Sequence, residues 1–152
     1  ETDVVVWRHL QKQFGRASAE EVMSGRGLLN IYTALALHGG NTPVFTEPAQ
    51  ITLAALENTC DIAVATLTQF CRIMGSFAGN LALNMATTGG VFIGGGIANR
   101  FPEFIKSSDF RARFEAKGQM KHYVKDIPTY LIAEPDHGLL GAAAYLQQHT
   151  AS

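Results

Sequence analysis

The segment 91–97, with the sequence VFIGGGI, constrains the fold more than any other part of the chain. Its first three residues are β-branched or aromatic and favour a strand, and such an apolar run is typical of a strand buried on both faces. Three consecutive glycines then end the strand, because glycine lacks a Cβ and tolerates positive φ. We therefore expect a buried strand followed by a turn whose backbone closely approaches another element or a ligand.

The composition predicts a single folded domain. Of the 152 residues, 47% are hydrophobic and 16% are charged, which is enough for a sizeable core and too apolar for disorder. A net charge of −1 offers no basic surface for nucleic acid or for an anionic membrane. No apolar stretch reaches the ~18 residues of a membrane span, and no signal peptide is recognisable. Because Cys60 and Cys71 lack metal-ligand neighbours, we interpret them as buried thiols of a cytoplasmic protein.

The hydrophobic pattern predicts a helix-rich α/β chain with two strands. Apolar residues recur at helical spacing through most of the chain, and two short β-rich runs lie in its last third. Strand, helices and strand in that order predict a right-handed crossover, so the two strands should be parallel. The predicted helices are 4–14, 51–85, 110–116 and 139–148. Another begins after Ser18 and resumes at 28–37, and a further one opens around Pro102. The predicted strands are about 90–94 and 129–133.

Individual residues indicate where several helices begin and end. Gly15 follows the first helix in the position of a C-terminal cap. Ser18 and Glu21 have the spacing of a capping box, which places the start of the second helix after Ser18. Asp109 is a candidate N-cap for the helix 110–116.

The segment 51–85 is predicted to be one long helix with a bend near 55–61. Gly75 and Gly79 lie four residues apart, on one face of this helix, and would allow another element to pack closely there. The side chains of the helix are interpreted mainly as core. A cofactor site is the alternative interpretation for three of them, Met74, Phe77 and Met85.

Five segments together resemble one known family. The segment 89–98, GGVFIGGGIA, resembles the adenosine motif of the sugar kinase and actin-like ATPase superfamily. Four others fall in the order and approximate spacing found in bacterial ATP-dependent glucokinases: 18–28 (SAEEVMSGRGL), 80–84 (NLALN), 110–118 (FRARFEAKG) and 138–143 (GLLGAA). The chain is thus similar to the C-terminal half of a glucokinase. The resemblance implies part of the C-terminal lobe of the actin-like, ribonuclease H-like fold.

The resemblance implies a sugar contact at Glu20. In glucokinases of this type the corresponding carboxylate accepts hydrogen bonds from sugar hydroxyls near the anomeric carbon. An ionised carboxylate suits that role, because charge-assisted hydrogen bonds are about twice as strong as neutral ones. From the residues alone, a glutamate in the first turn of a helix more often complements the helix dipole.

The glycine residues carry the implied nucleotide site. By resemblance, Gly94, Gly95 and Gly96 form the turn that passes close to adenosine and ribose, at the carboxyl end of a strand where α/β sheets bind ligands. From the residues alone, a packing turn between strand and helix is the alternative. Gly138 and Leu139, in the turn that opens the last helix, are implied to lie near the same pocket. No catalytic role is assigned to the neighbouring His137.

Three motifs of this family do not occur in the sequence. They are an Asp-x-Gly-Gly-Thr phosphate loop, the aspartate that takes the proton from the sugar 6-hydroxyl, and a Gly-Glu-Gly-Gly-His sugar loop. We therefore expect residues 1–152 to be a single truncated large lobe, without the N-terminal lobe and the first strands. We expect no catalytic residue and no metal ligand in the chain, and no activity from it alone. ATP, Mg²⁺ and glucose are the cofactors and substrate implied for a complete enzyme.

Other functions remain open at this point. A sugar-responsive regulator can be built on the same fold, although the cysteines lack the spacing of the zinc site usual in such proteins. A glucokinase half fused to a regulatory domain and a purely structural dimerisation piece are further alternatives. Two parallel strands with an open edge invite another chain. We expect a homo-oligomer, in which the helix 4–14 or the long central helix covers the surface that the absent strands would have covered.

Overall fold

The described part of the chain forms eight α-helices, two 3₁₀ turns and a two-stranded parallel sheet. A computed structural model describes residues 1–134 and 136–150, so Pro135, in the turn predicted before the last helix, lies outside the described residues. In chain order the elements are α1 (Thr2–Phe14), α2 (Gly25–His38), α3 (Pro48–Leu56), α4 (Asp61–Asn84), β1 (Val91–Ile93), a 3₁₀ turn (Ala98–Arg100), α5 (Pro102–Ser107), α6 (Phe110–Glu115), a second 3₁₀ turn (Gly118–Met120), α7 (Lys121–Val124), β2 (Thr129–Leu131) and α8 (His137–Thr150).

Strands β1 and β2 pair in parallel, as predicted, with Val91 opposite Thr129 and Ile93 opposite Leu131. The expectation of a strand buried on both faces is wrong. Phe92 and Tyr130 point to the other face, where they are 66% and 47% exposed and their rings stack at 5.0 Å. Successive strand residues alternate between faces, and helices cover only the face of Ile93 in the described part of the chain.

Helix α4 is the centre of the core. It packs against α2, α3 and α6, while α1 packs against α2. The large side chains that these helices enclose are almost wholly buried. They include Tyr32, Leu28, Ile31, Leu67, Phe70, Phe101 and Phe114.

The first helix is confirmed, and Gly15 ends it in the left-handed conformation with φ of 72°. Its buried face is formed by Val6 and Leu10. Three other apolar residues of this helix are 40–53% exposed: Val4, Trp7 and Phe14. Helix α1 thus leaves much of its apolar surface unburied by the described residues.

The second helix does not begin after Ser18. Residues 19–22 form a single turn, and α2 begins at Gly25 with Ser24 as its N-cap. The Ser24 Oγ accepts a hydrogen bond from the Gly27 N–H at 3.1 Å, so this serine, rather than Ser18, caps the first turn. The side chain of Glu21 turns towards α2 instead of forming a capping box.

The predicted helix 51–85 is two helices, α3 and α4, that pack against each other. The break at residues 57–60 is sharper than the predicted bend, because Asn58 adopts a left-handed conformation with φ of 55°. Asparagine tolerates this region better than most residues. The Thr59 N–H then donates to the Ala54 carbonyl at 2.9 Å and closes the end of α3.

Asp109 precedes α6 but makes no capping hydrogen bond. Its carboxylate accepts instead from Arg72 of α4, at 2.7 Å from Nε and 2.5 Å from Nη2. The Phe110 N–H donates to the Ser108 hydroxyl at 3.2 Å. The helix was predicted correctly and its cap was not, since an arginine from another helix competes for the aspartate.

The close packing predicted at Gly75 and Gly79 is confirmed. A Cβ added at Gly75 would collide with the carbonyl oxygen of Phe110, and one at Gly79 with that of Phe114. Both glycines therefore allow α6 to lie directly on α4. Without them the two helix backbones could not approach so closely.

Both cysteines are free thiols. Cys71 is buried inside α4, whereas Cys60, just before that helix, is half-buried. Burial raises the pKa of the Cys71 thiol to about 11, against the opposing effect of a hydrogen bond with Ser108. Cys71 is thus protonated at neutral pH and behaves as a small core residue.

Candidate functional site

The glycine turn that follows β1 lines a cavity of about 280 Å³. Gly95 has φ of 123°, which a side chain would strain, while a Cβ added at Gly96 would meet no atom within 4 Å. The turn therefore presents bare backbone to the cavity at the carboxyl end of a parallel strand. This is the position at which α/β sheets usually bind ligands.

Two other parts of the chain complete the cavity wall. One is the segment 23–25, which leads into α2, and the other is a pair of α4 side chains, Phe70 and Met74, one helical turn apart. The N-terminus of α2 brings the positive end of the helix dipole to the cavity rim. Apolar side chains, glycine backbone and a helix N-terminus can together hold a flat ring and a nearby polar group.

The start of α8 lies against the glycine turn. A Cβ added at Gly94 would be 3.2 Å from Nε2 of His137, whose Nδ1 lies 2.7 Å from the Glu134 carbonyl oxygen. Gly138 and Leu139 follow directly along the chain, but neither is among the residues that line the cavity, and Leu139 is 74% exposed. Their binding role stays a prediction.

Glu20 lies in the turn between α1 and α2, and its side chain is exposed. Hydrogen bonds from the N–H groups of Val22 and Met23 to the Ala19 carbonyl, at 3.1 and 2.9 Å, define the turn. The Glu20 carboxylate has no hydrogen-bond partner among the described residues. It does not line the glycine-turn cavity, but Met23, three residues later, does.

Sequence patterns identified the glycine turn and missed much of the rest of the cavity. Met74 lines it, but Phe77 lines a separate cavity beside α1 and Met85 is 75% exposed, so the three do not form one site. The helical spacing of Phe70 and Met74 was visible. Nothing local in the sequence pairs that face with residues 23–25.

A cluster of polar and charged side chains away from the cavity holds three helices together. The Asp3 carboxylate accepts from Gln69 at 2.5 Å and from Arg113 at 2.6 Å, which ties α1 to α4 and α6. Burial alone would raise the pKa of Asp3, but these two hydrogen bonds and the Arg113 charge outweigh it, and the pKa lies below its usual value. Burial, with the Arg113 charge, lowers the pKa of Lys117.

Residues 1–134 and 136–150 contain no group of three or more His, Cys, Asp or Glu side chains that could hold a metal ion. None of the helices formed by these residues is both long and apolar enough to cross a lipid bilayer.

The helix-rich fold, with two parallel strands and a glycine turn beside a cavity, is part of the sugar kinase fold. The chain belongs to the glucokinase family, whose family model matches residues 1–149. This confirms the family resemblance stated from the sequence.

Individual relatives agree with this assignment. The chain is 50% identical over 139 residues to the glucokinases of Yersinia pestis (strain Pestoides F) and Yersinia pseudotuberculosis (serotype O:1b, strain IP 31758). The alignments cover 91% of this chain and 43% of each relative. A crystal structure of glucokinase from an Antarctic psychrotroph matches with a TM-score of 0.89 and 38% identity, over 97% of this chain and 46% of that one. The chain thus spans less than half the length of these relatives.

Proposed function

We propose that the chain is the C-terminal part of a kinase that transfers the γ-phosphoryl group of Mg·ATP to the 6-hydroxyl of glucose. In this proposal residues 1–152 are a portion of the large lobe, and the remaining lobe supplies the phosphate loop and the catalytic base. The observation that carries it is the cavity at the carboxyl end of β1, formed by Gly94–Gly96 and the start of α2. Family membership and the partial coverage of the relatives support it.

The cavity would hold the adenosine part of ATP. Met23, Phe70 and Met74 offer apolar surface to the base, and the glycine turn leaves room for the backbone to approach the ribose. The start of α8, with Gly138 and Leu139, would close the same side. The residues present therefore fit a nucleoside.

Glu20 would orient the sugar. Its exposed carboxylate can accept two hydroxyl hydrogen bonds at once, which fixes the ring relative to the phosphate donor. Mg·ATP, when bound, supplies the phosphoryl group and neutralises its charge. Mg²⁺ would be held by the ATP phosphates with one or two carboxylates, and we assign no residue of this chain to it.

The isolated chain should form no glucose 6-phosphate above background. A joined protein, in which this chain replaces the aligned part of the Yersinia pestis glucokinase, should form it at kinase-like rates. The reason is that phosphoryl transfer needs a base and a phosphate loop, which only the joined protein contains. A coupled assay with ATP and glucose measures both. Kinase-like activity in the isolated chain, or a folded joined protein that binds neither substrate, would contradict the proposal.

A pair of glycine variants tests the nucleotide cavity within the joined protein. Gly96→Val adds a side chain where no atom lies within 4 Å, so it should fill the cavity and raise the KM for ATP while the KM for glucose changes little. Gly89→Val is the matched control, because its added Cβ also meets nothing within 4 Å but lies before β1, outside the cavity. Equal effects of the two variants on the KM for ATP would remove the cavity from the nucleotide site.

We propose further that the isolated chain self-associates through the exposed sheet face. Phe92 and Tyr130 form an apolar patch there. Helix α8 also has no residue buried by the described part of the chain, so its apolar side chains are open to a partner as well. Light scattering at micromolar concentration should give a mass above that of one chain, and Phe92→Glu should lower it towards 16.4 kDa. A clean monomer of the unchanged chain would show that this face needs no partner.

A further inference from the structure

We infer that Asn30 is a positioning residue for the sugar contact, acting through the backbone of the turn that carries Glu20. The inference rests on the proposed function, because it matters for catalysis only if Glu20 binds the sugar. It concerns a residue of α2 that does not itself touch the candidate cavity.

The side chain of Asn30 holds the residue that follows Glu20. Its Nδ2 donates to the carbonyl oxygen of Glu21 at 2.9 Å and to Oε2 of the same residue at 3.1 Å. Asn30 is only 7% exposed, so water cannot easily replace these bonds. The carbonyl group of Glu21, the residue after Glu20, is thus hydrogen-bonded to the second turn of α2.

Arg26 holds the other side of Glu21. It lies one helical turn before Asn30, and its Nη2 is 2.6 Å from Oε1 of Glu21. The Arg26 side chain is 60% exposed, so water and salt screen this ion pair. The buried amide of Asn30 is therefore the stronger constraint on the turn.

Close backbone packing fixes the same turn sterically. A Cβ added at Gly27 would lie 2.5 Å from the carbonyl carbon of Val22 and 2.8 Å from its oxygen. The first turn of α2 is thus seated directly on the segment between Glu20 and Ser24. Residues 23–25 also line the glycine-turn cavity. The close contact between Gly27 and Val22 therefore sets the position of Glu20 relative to the proposed nucleotide site.

Such a constraint matters because catalysis is sensitive to small displacements. A misplacement of about 1 Å can lower a rate by about 100-fold. Glu20 is exposed and has no partner of its own among the described residues, so its position depends on the backbone on either side. Asn30 is the buried side chain that holds that backbone.

The test is Asn30→Ala in the joined protein. We expect the glucose Kd, measured by calorimetry without ATP, and the KM for glucose each to rise about tenfold. The KM for ATP should change less, because most of the cavity wall comes from other elements. Gln69→Ala is the matched control, since it removes a buried amide that is 1% exposed and bonds Asp3; it should lower stability without changing the glucose Kd.

A double-mutant cycle with Glu20→Gln separates this inference from the proposed function. If Asn30 acts through Glu20, Asn30→Ala should add little in the Glu20→Gln background. No effect of Glu20→Gln would remove the proposed sugar contact, and this inference with it. Two results would overturn this inference alone. One is a glucose Kd that rises in Glu20→Gln but is unchanged in Asn30→Ala. The other is full additivity of the two substitutions in their effect on the glucose Kd.

A milder variant covers the case in which Asn30→Ala does not fold. Asn30→Ser removes the amide Nδ2 that donates to both Glu21 acceptors but keeps a small polar side chain in the buried position. It should raise the glucose Kd severalfold. An unchanged glucose Kd in a folded Asn30→Ser protein would also overturn the inference.

Discussion

Glu20→Gln in the joined protein is expected to raise the KM for glucose by about 10- to 100-fold and to lower kcat. The substitution keeps the shape of the side chain and removes its charge. Hydrogen bonds to charged groups contribute about 1.5–3 kcal/mol, and each ~1.4 kcal/mol corresponds to a factor of ten. A sugar held less firmly also spends less time in line with the phosphate donor, which is why kcat should fall. Steady-state kinetics with varied glucose measures both constants.

Glu57→Gln is a matched control for this experiment. Glu57 is likewise an exposed glutamate in a turn, between α3 and α4, and we place it in no site. Its substitution should leave the KM for glucose within about twofold, since exposed substitutions usually change little. Kinetics of Glu20→Gln that match those of Glu57→Gln would exclude Glu20 from sugar binding.

Gly75→Ala is expected to destabilise the chain by about 2 kcal/mol. The added methyl group would collide with the carbonyl oxygen of Phe110, a backbone atom that cannot rotate away, so α6 would have to move off α4. Overpacking of this kind costs about 1–3 kcal/mol and sometimes more, while alanine regains up to ~1 kcal/mol of helix propensity. The midpoint of urea unfolding should fall by about 1 M, given slopes of about 1–3 kcal/mol per molar.

Gly141→Ala provides the comparison for Gly75→Ala. Gly141 also lies inside a helix, but an added Cβ there meets no atom within 4 Å. The same chemical change should therefore leave stability equal or slightly higher. If both variants unfolded at the same urea concentration, α6 could not be seated against α4 as described.

The parts of the fold that local chemistry determines were predicted well. Gly15 ends α1 because only a residue that tolerates positive φ fits there. The run from Val91 to Ile93 forms a strand, the glycine turn follows it, and the next strand pairs in parallel because a crossover leaves little choice of direction. The signals for the cap, the strand and the turn lie within a few residues of the structure that they specify.

The two capping errors arose where a residue of another turn or helix takes the side chain that the predicted cap needs. Ser18 and Ser24 are both suitable N-caps, and the choice of Ser24 depends on how Glu21 meets Arg26 and Asn30. Asp109 could cap α6, but Arg72 from another helix takes its carboxylate. Such competition is invisible in a local pattern, because the competing partner is brought close only by the folded chain.

The candidate site shows the same division. The glycine turn was predicted from its own residues, whereas the contribution of Met23 and Phe70 depends on how α2 and α4 pack. The exposure of Phe92 also could not be predicted, since a β-rich run does not say how many layers will cover it. Glu20 was identified only through family resemblance, because an exposed glutamate in a turn carries no distinguishing local signal.

Phe70 limits how the cavity could be redesigned or could diverge. Its ring borders the cavity on one side and packs edge-on against Phe101, with centroids 5.9 Å apart, on the other. A substitution that reshaped the cavity at this position would also open a gap in the core. Met74 is only partly buried on the same wall, so it offers a position where ligand preference can change at less expense to folding. Changes in what the cavity can hold should therefore arise at Met74 before Phe70.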